Sequence, residues 1–167
     1  MGRSTNILGF AVLVGAVMAS APAVFADENH RSKMTCKSVD EGAPQSIGDP
    51  EGRMIAVYDV TCTVVEGSPQ GGVYNGRSIV EWDNTHSSLI AGGGVMRSLG
   101  SIVVVQNIKE DGEASLTAGK VTGFASSGRS KIIWASSSVV AAMVGKTFSH
   151  TTKSTGPGEF VVESVGD

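Results

Sequence analysis

Cysteines and aromatic side chains are scarce in this chain. Its 167 residues hold two Cys, two Trp, two Tyr and five Phe. Two cysteines rule out a disulfide-dense scaffold that folds with little core. Neither Cys36 nor Cys62 has a second ligand at metal-binding spacing, so no zinc site or other metal site is expected. Charge is thin as well: 17% of residues are Asp, Glu, Lys or Arg, and the net charge is −3. The basic residues are scattered, Arg129-Ser130-Lys131 being the densest group. A nucleic-acid partner is therefore not expected, because it would need a basic patch. Phosphate-binding glycine loops, the Gly-x-Gly-x-x-Gly fingerprint and the Gly-x-Ser-x-Gly nucleophile elbow are all missing. No cofactor is implied.

Long apolar runs are also wanting. Residues 7–18 form an apolar run without charge, but it is shorter than the roughly 20 residues of a membrane span and contains Gly9 and Gly15. Its surroundings give it another meaning. Arg3 precedes it, small residues and Pro22 follow it, and Val24-Phe25-Ala26 closes it before the charged Asp27-Glu28. That order predicts a secretory signal peptide over residues 1–26 with cleavage after Ala26. A retained anchor is the alternative. No cysteine lies near the cleavage point to carry a lipid.

The expected mature chain, residues 27–167, is exported to the periplasm or the extracellular space. It has no membrane span after signal cleavage. Removing Arg3 lowers Lys plus Arg from 13 to 12 against 16 acidic residues, a net charge of −4. Its length suits one domain with a real core. In an oxidising compartment Cys36 and Cys62 are expected to pair. Two buried thiols on neighbouring strands are the alternative.

Short apolar segments punctuated by Gly, Pro, Asn and Asp predict an all-β domain. The expected strands are residues 34–39, 53–65, 73–82, 88–96, 101–109, 114–117, 120–125, 131–135, 146–152 and 159–165. Turns are expected at 66–72, 83–87, 110–113 and 126–129, and residues 136–144 suit a strand or a short helix. In 53–65 the even positions Met54, Ala56, Tyr58, Val60, Cys62 and Val64 are apolar throughout and should face the core. The glycines at 92–94 mark a bulge or bend. Eight to ten strands with short connections predict a single antiparallel meander. Such a meander must close, or nearly close, into a β-barrel, or fold into a β-sandwich as the alternative. The barrel resembles lipocalins in general architecture only. Their Gly-x-Trp is absent, since Trp82 follows Val80-Glu81 and Trp134 follows Ile132-Ile133.

Few residues suggest chemistry. His30 reads as solvated, and His86 as part of a polar turn. His150 shares a face with Phe148, so it points into the core if Phe148 does. Asp59 lies on the face opposite the apolar one, solvated or paired with Arg77 or Arg97 if covered. The acidic segments 49–51 and 110–113 read as turns. Trp82 and Trp134 suit packing more than a pocket mouth. The leading expectation is a non-enzymatic binding module. Its lumen would take a small apolar or amphipathic ligand between Tyr58, Val80, Trp82, Val104, Phe148 and His150. The alternatives are a barrel cyclase or isomerase, using His150 with Asp59 or Glu81 if these turn inward, and an envelope or surface protein that binds other proteins.

Overall fold

The computed structural model describes residues 30–41, 44–48, 52–117 and 120–167. The expected signal peptide and the acidic segment 49–51 lie outside them. The elements are β1 (Arg31–Glu41), β2 (Gln45–Ser46), β3 (Met54–Glu66), β4 (Val73–Asp83) and β5 (His86–Ser98). They continue with β6 (Ser101–Thr117), β7 (Lys120–Ala135), α1 (Ser138–Ala141), β8 (Thr147–Gly156) and β9 (Glu159–Gly166). Every strand except β2 pairs antiparallel with its neighbours in the chain, and β9 returns to β1. The result is a closed eight-stranded barrel, with β2 added beside β3. Closure leaves the barrel no free edge, and it excludes the sandwich.

The apolar alternation of β3 behaves as expected. Ala56, Cys62 and Val64 are buried, while Val57, Thr63 and Val65 on the other face are exposed. Cys36 and Cys62 are directly opposed on β1 and β3 and form a disulfide, with Cα atoms 4.0 Å apart. Together with Val162 they make a small buried cluster, against which Met34, Tyr74 and Phe160 pack.

Two expected turns are not turns. Residues 110–113 lie inside β6, and residues 126–129 lie inside β7. These two polar stretches pair with each other: Glu110 with Gly128, Asp111 with Ser127, and Gly112 with Ser126. Each supplies the other's backbone partners, so Gly and Asp there do not end the strand. The two strands form one long hairpin of 17 and 16 residues, and the expected strand at 114–117 is its tip.

Bulges set which way side chains point. Each adds one residue to a strand and reverses the alternation beyond it. In β5, Leu89 pairs with Val80 and Ala91 with Ile79, leaving Ile90 as the extra residue. This bulge sits beside the glycine run at 92–94. In β6 the extra residue is Ile108, between Asn107 and Lys109. In β7 it is Ile133, between Ile132 and Trp134. Ile90, Ile108 and Ile133 all point outward, exposed by 52%, 52% and 47%.

One end of the barrel carries the β1–β3, β4–β5, β6–β7 and β8–β9 connections. The other carries both ends of the described chain and the segment with α1. That four-residue helix contacts β6 and β7 and packs Val140, 1% exposed, against this end.

Candidate functional site

The barrel encloses a cavity of about 930 Å³. Ligand pockets commonly fall between roughly 300 and 1,000 Å³. Many of the side chains that line the cavity are short, among them Val60, Ser78, Val80, Val105 and Ser130. Among the described residues, the largest that are fully buried are Val64, Val140 and Ser130. Glycine occupies further inward positions. A Cβ at Gly112 would lie 2.6 Å from the ring of Phe124, and one at Gly128 would lie 2.6 Å from His150 Nε2. A Cβ at Gly76 or Gly94 would run into the ring of Tyr74. The missing side chains are the space into which these larger groups fold.

Most of the wall is apolar, and it includes Met34, Val60, Met96, Val103, Val105, Ile132 and Phe160. Three aromatic groups gather where β3 begins and β4 ends. Trp82 Nε1 donates to the Tyr58 hydroxyl at 3.2 Å. The rings of Trp82 and Phe124 lie 5.8 Å apart, tilted by 57°.

One stretch of wall is polar. Glu110, Gly128 and His150 occupy one row across β6, β7 and β8. Since Gly128 has no side chain, Glu110 and His150 approach each other across it, with His150 Nε2 4.0 Å from Glu110 Oε2. The Ser126 hydroxyl donates to Glu110 Oε1 at 2.6 Å. In the next row, the Ser130 hydroxyl donates to Asn107 Oδ1 at 3.1 Å. Asn107 Nδ2 reaches Ser78 Oγ at 3.4 Å, and Ser130 Oγ lies 3.4 Å from His150 Nδ1. With the Ser130 proton given to Asn107, the Ser130 oxygen accepts from His150. In that arrangement His150 Nδ1 faces Ser130 and Nε2 faces Glu110.

The electrostatics follow from this arrangement. Burial holds the His150 imidazole below its usual range, against the opposing pull of the Glu110 charge. Tyr74 packs between the disulfide cluster and the glycines of β4 and β5. Its phenol is pushed up to about 12, first by burial and then by the charge of Glu110. No hydrogen bond contributes to that shift. Near neutral pH the lumen therefore holds a neutral imidazole beside Glu110, and a phenol that keeps its proton.

Of the residues expected to line a ligand site, Tyr58, Val80, Trp82, Phe148 and His150 do face the cavity. Val104 is corrected: its neighbours Val103 and Val105 line the cavity, while Val104 pairs with Trp134 on the outer surface. Trp134 is half exposed, turned outward by the bulge at Ile133. Asp59 and Glu81 also lie outside. Asp59 accepts two hydrogen bonds from Arg77, both 2.6 Å, and Glu81 accepts one from Arg53 at 2.9 Å. The enzyme reading built on either of them does not hold.

His86 points outward, 3.0 Å from Glu113, while Ser87 beside it is buried, so they form no catalytic group. His30 is not simply solvated; its Nε2 donates to the Ser68 carbonyl at 2.7 Å. Glu110 and Tyr74 were the site residues that sequence reasoning missed. Tyr74 shares its alternation with Val80 and Trp82 and was legible; Glu110 was hidden in an apparent turn.

No group of three or more His, Cys, Asp or Glu among the described residues is arranged to hold a metal ion. No helix among them is long and apolar enough to cross a membrane. Compared with known proteins, the chain matches no family model and no curated protein sequence.

Proposed function

We propose that this is an exported small-molecule-binding barrel. Its lumen takes one largely apolar ligand carrying a polar group. The cavity of about 930 Å³ carries the reading, because a barrel of eight strands is either filled by its own side chains or holds a small ligand. The ligand's apolar body would lie against Trp82, Phe124 and Val105, and its polar group against the wall of Glu110, His150 and Tyr74. A buried Cys36–Cys62 disulfide is compatible with export to the periplasm or beyond.

The test uses the mature protein and panels of lipids, sterols and polyphenols. Binding should raise the Tm and quench Trp82 fluorescence, read in a Trp134→Phe variant so that only the lumen tryptophan reports. Val80→Phe, which pushes a larger side chain into the lumen, should weaken both signals. If no compound in any panel shifts the Tm or quenches Trp82, the binding reading is wrong.

A further inference from the structure

The polar wall contains more than a ligand anchor needs. A neutral ligand group can be held by hydroxyls and amides, and Ser78, Asn107 and Ser130 supply these. Glu110 adds a carboxylate in an apolar enclosure, where charge is unfavourable unless it is compensated. Among the described residues Glu110 accepts a hydrogen bond from the Ser126 hydroxyl and forms no Lys or Arg ion pair. Facing it is His150 Nε2 at 4.0 Å. Tyr74 also lines the cavity, and its hydroxyl is a donor.

We propose that the lumen is a proton-transfer site, in which Glu110 is the general base and Tyr74 the hydrogen-bond donor to a carbonyl oxygen. The substrate class is an apolar ketone with an acidic C–H next to its carbonyl. Glu110 takes that proton, and the C–H electron pair becomes the C=C bond of an enolate. The carbonyl π pair moves onto oxygen, where the Tyr74 O–H stabilises it without giving up its proton. The proton then rests on the Glu110 carboxyl. Return of the proton to the same carbon gives exchange. Return to the far carbon of a β,γ-unsaturated ketone gives the conjugated isomer. Either way atoms and electrons balance, with no oxidant or cofactor. His150 is a positioning residue, held beside Glu110 by its contact with Ser130.

This inference rests on the binding reading, and its test separates the two. The probe is 2-tetralone, an apolar bicyclic ketone small enough for the lumen. Binding is read by Trp82 quenching in the Trp134→Phe protein. Chemistry is read as exchange of the α-protons for deuterium, followed by proton NMR. The wild-type lumen should speed exchange, and Glu110→Gln should lower the bound-state rate by roughly 10²-fold or more with affinity changed only a few-fold. Tyr74→Phe should lower it by roughly 10²-fold. Should Glu110→Gln fail to fold, Tyr74→Phe carries the test alone. Quenching with exchange no faster than in the variants overturns the proton-transfer proposal and leaves binding intact. No quenching by 2-tetralone, by other apolar ketones or by the panels overturns both.

Discussion

Replacing Tyr74 with Phe deletes one oxygen atom from the lumen, and the structure says what that should do. The folded phenol is pushed up to about 12 by burial and by the charge of Glu110. In the unfolded chain it ionises near its ordinary value of about 10. Between those values the unfolded chain has lost the proton and the folded chain keeps it. The unfolded state then binds fewer protons, so stability falls as pH rises through this window. The difference of about 2 in pKa, at about 1.36 kcal/mol each, gives about 2.7 kcal/mol once both states are ionised. At about pH 11 the loss is roughly half that, about 1.4 kcal/mol. At about pH 8 it is negligible, and Tyr74→Phe should be close to neutral there, because the hydroxyl contributes no hydrogen bond to lose. Urea denaturation of both proteins at the two pH values measures the effect. The wild type should lose about 1.4 kcal/mol more than the variant on going to the higher pH. A tyrosinate absorbance titration should show a late-ionising phenol that the variant lacks. If Tyr74 ionises near 10 and the two proteins respond alike to alkali, the lumen is not the low-dielectric enclosure on which the argument depends.

The other predictions concern the frame around the site. Replacing Cys36 and Cys62 by Ala opens a link between residues 26 apart in sequence, and should lower stability by about 3.5 kcal/mol in urea denaturation on the chain-entropy account. Ile132→Ala, at a buried site on the cavity wall, should cost about 2–5 kcal/mol in the same assay, because nothing collapses into the space it leaves. Breaking the exterior pair by Asp59→Asn should leave the urea midpoint almost unchanged, since Arg77 is well exposed to solvent. His150 is held neutral by burial, so below about pH 6.5 the unfolded chain takes up a proton that the folded chain refuses. Stability should fall with acid in that range, and His150→Gln should flatten the slope.

How far the sequence could be read depended on where alternation was interrupted. β3 and β4 carry an unbroken period of two over the relevant stretches, so Tyr58, Val80 and Trp82 could be placed on one inner face. Phe148 and His150 followed the same rule on β8. The rule failed at the bulges. Trp134 has the inward parity of β7, yet Ile133 turns it to solvent. Val104 was chosen from an apolar run whose two faces look alike, and nothing in residues 102–105 marks the inner one. Glu110 has the most instructive failure. Inward positions in β6 run Val103, Val105, Asn107, and continued without interruption they would put residue 109 inside. The extra residue Ile108 shifts the series, so Glu110 points inward and Lys109 outward. A bulge at an isoleucine leaves no mark in the sequence. The acidic, glycine-containing stretch after it looks like a turn until its partner strand is known.

That failure also bears on function. Strand positions facing a barrel interior are normally apolar, and polar or glycine residues in mid-strand weaken the sheet. β6 and β7 break this rule at the same level, with Glu110, Gly112, Ser126, Gly128 and Ser130 all turned inward. Gly112 and Gly128 make room for Phe124 and His150, and Glu110 occupies the wall, with the imidazole reaching it over Gly128. The features that made these segments resemble loops are the ones that shape the polar stretch of the lumen wall. A local conflict between sequence and fold is expected where a site has been built at the expense of packing. Here it falls on the row of Glu110, Gly128 and His150, which is where the binding and proton-transfer readings both place the ligand's polar group.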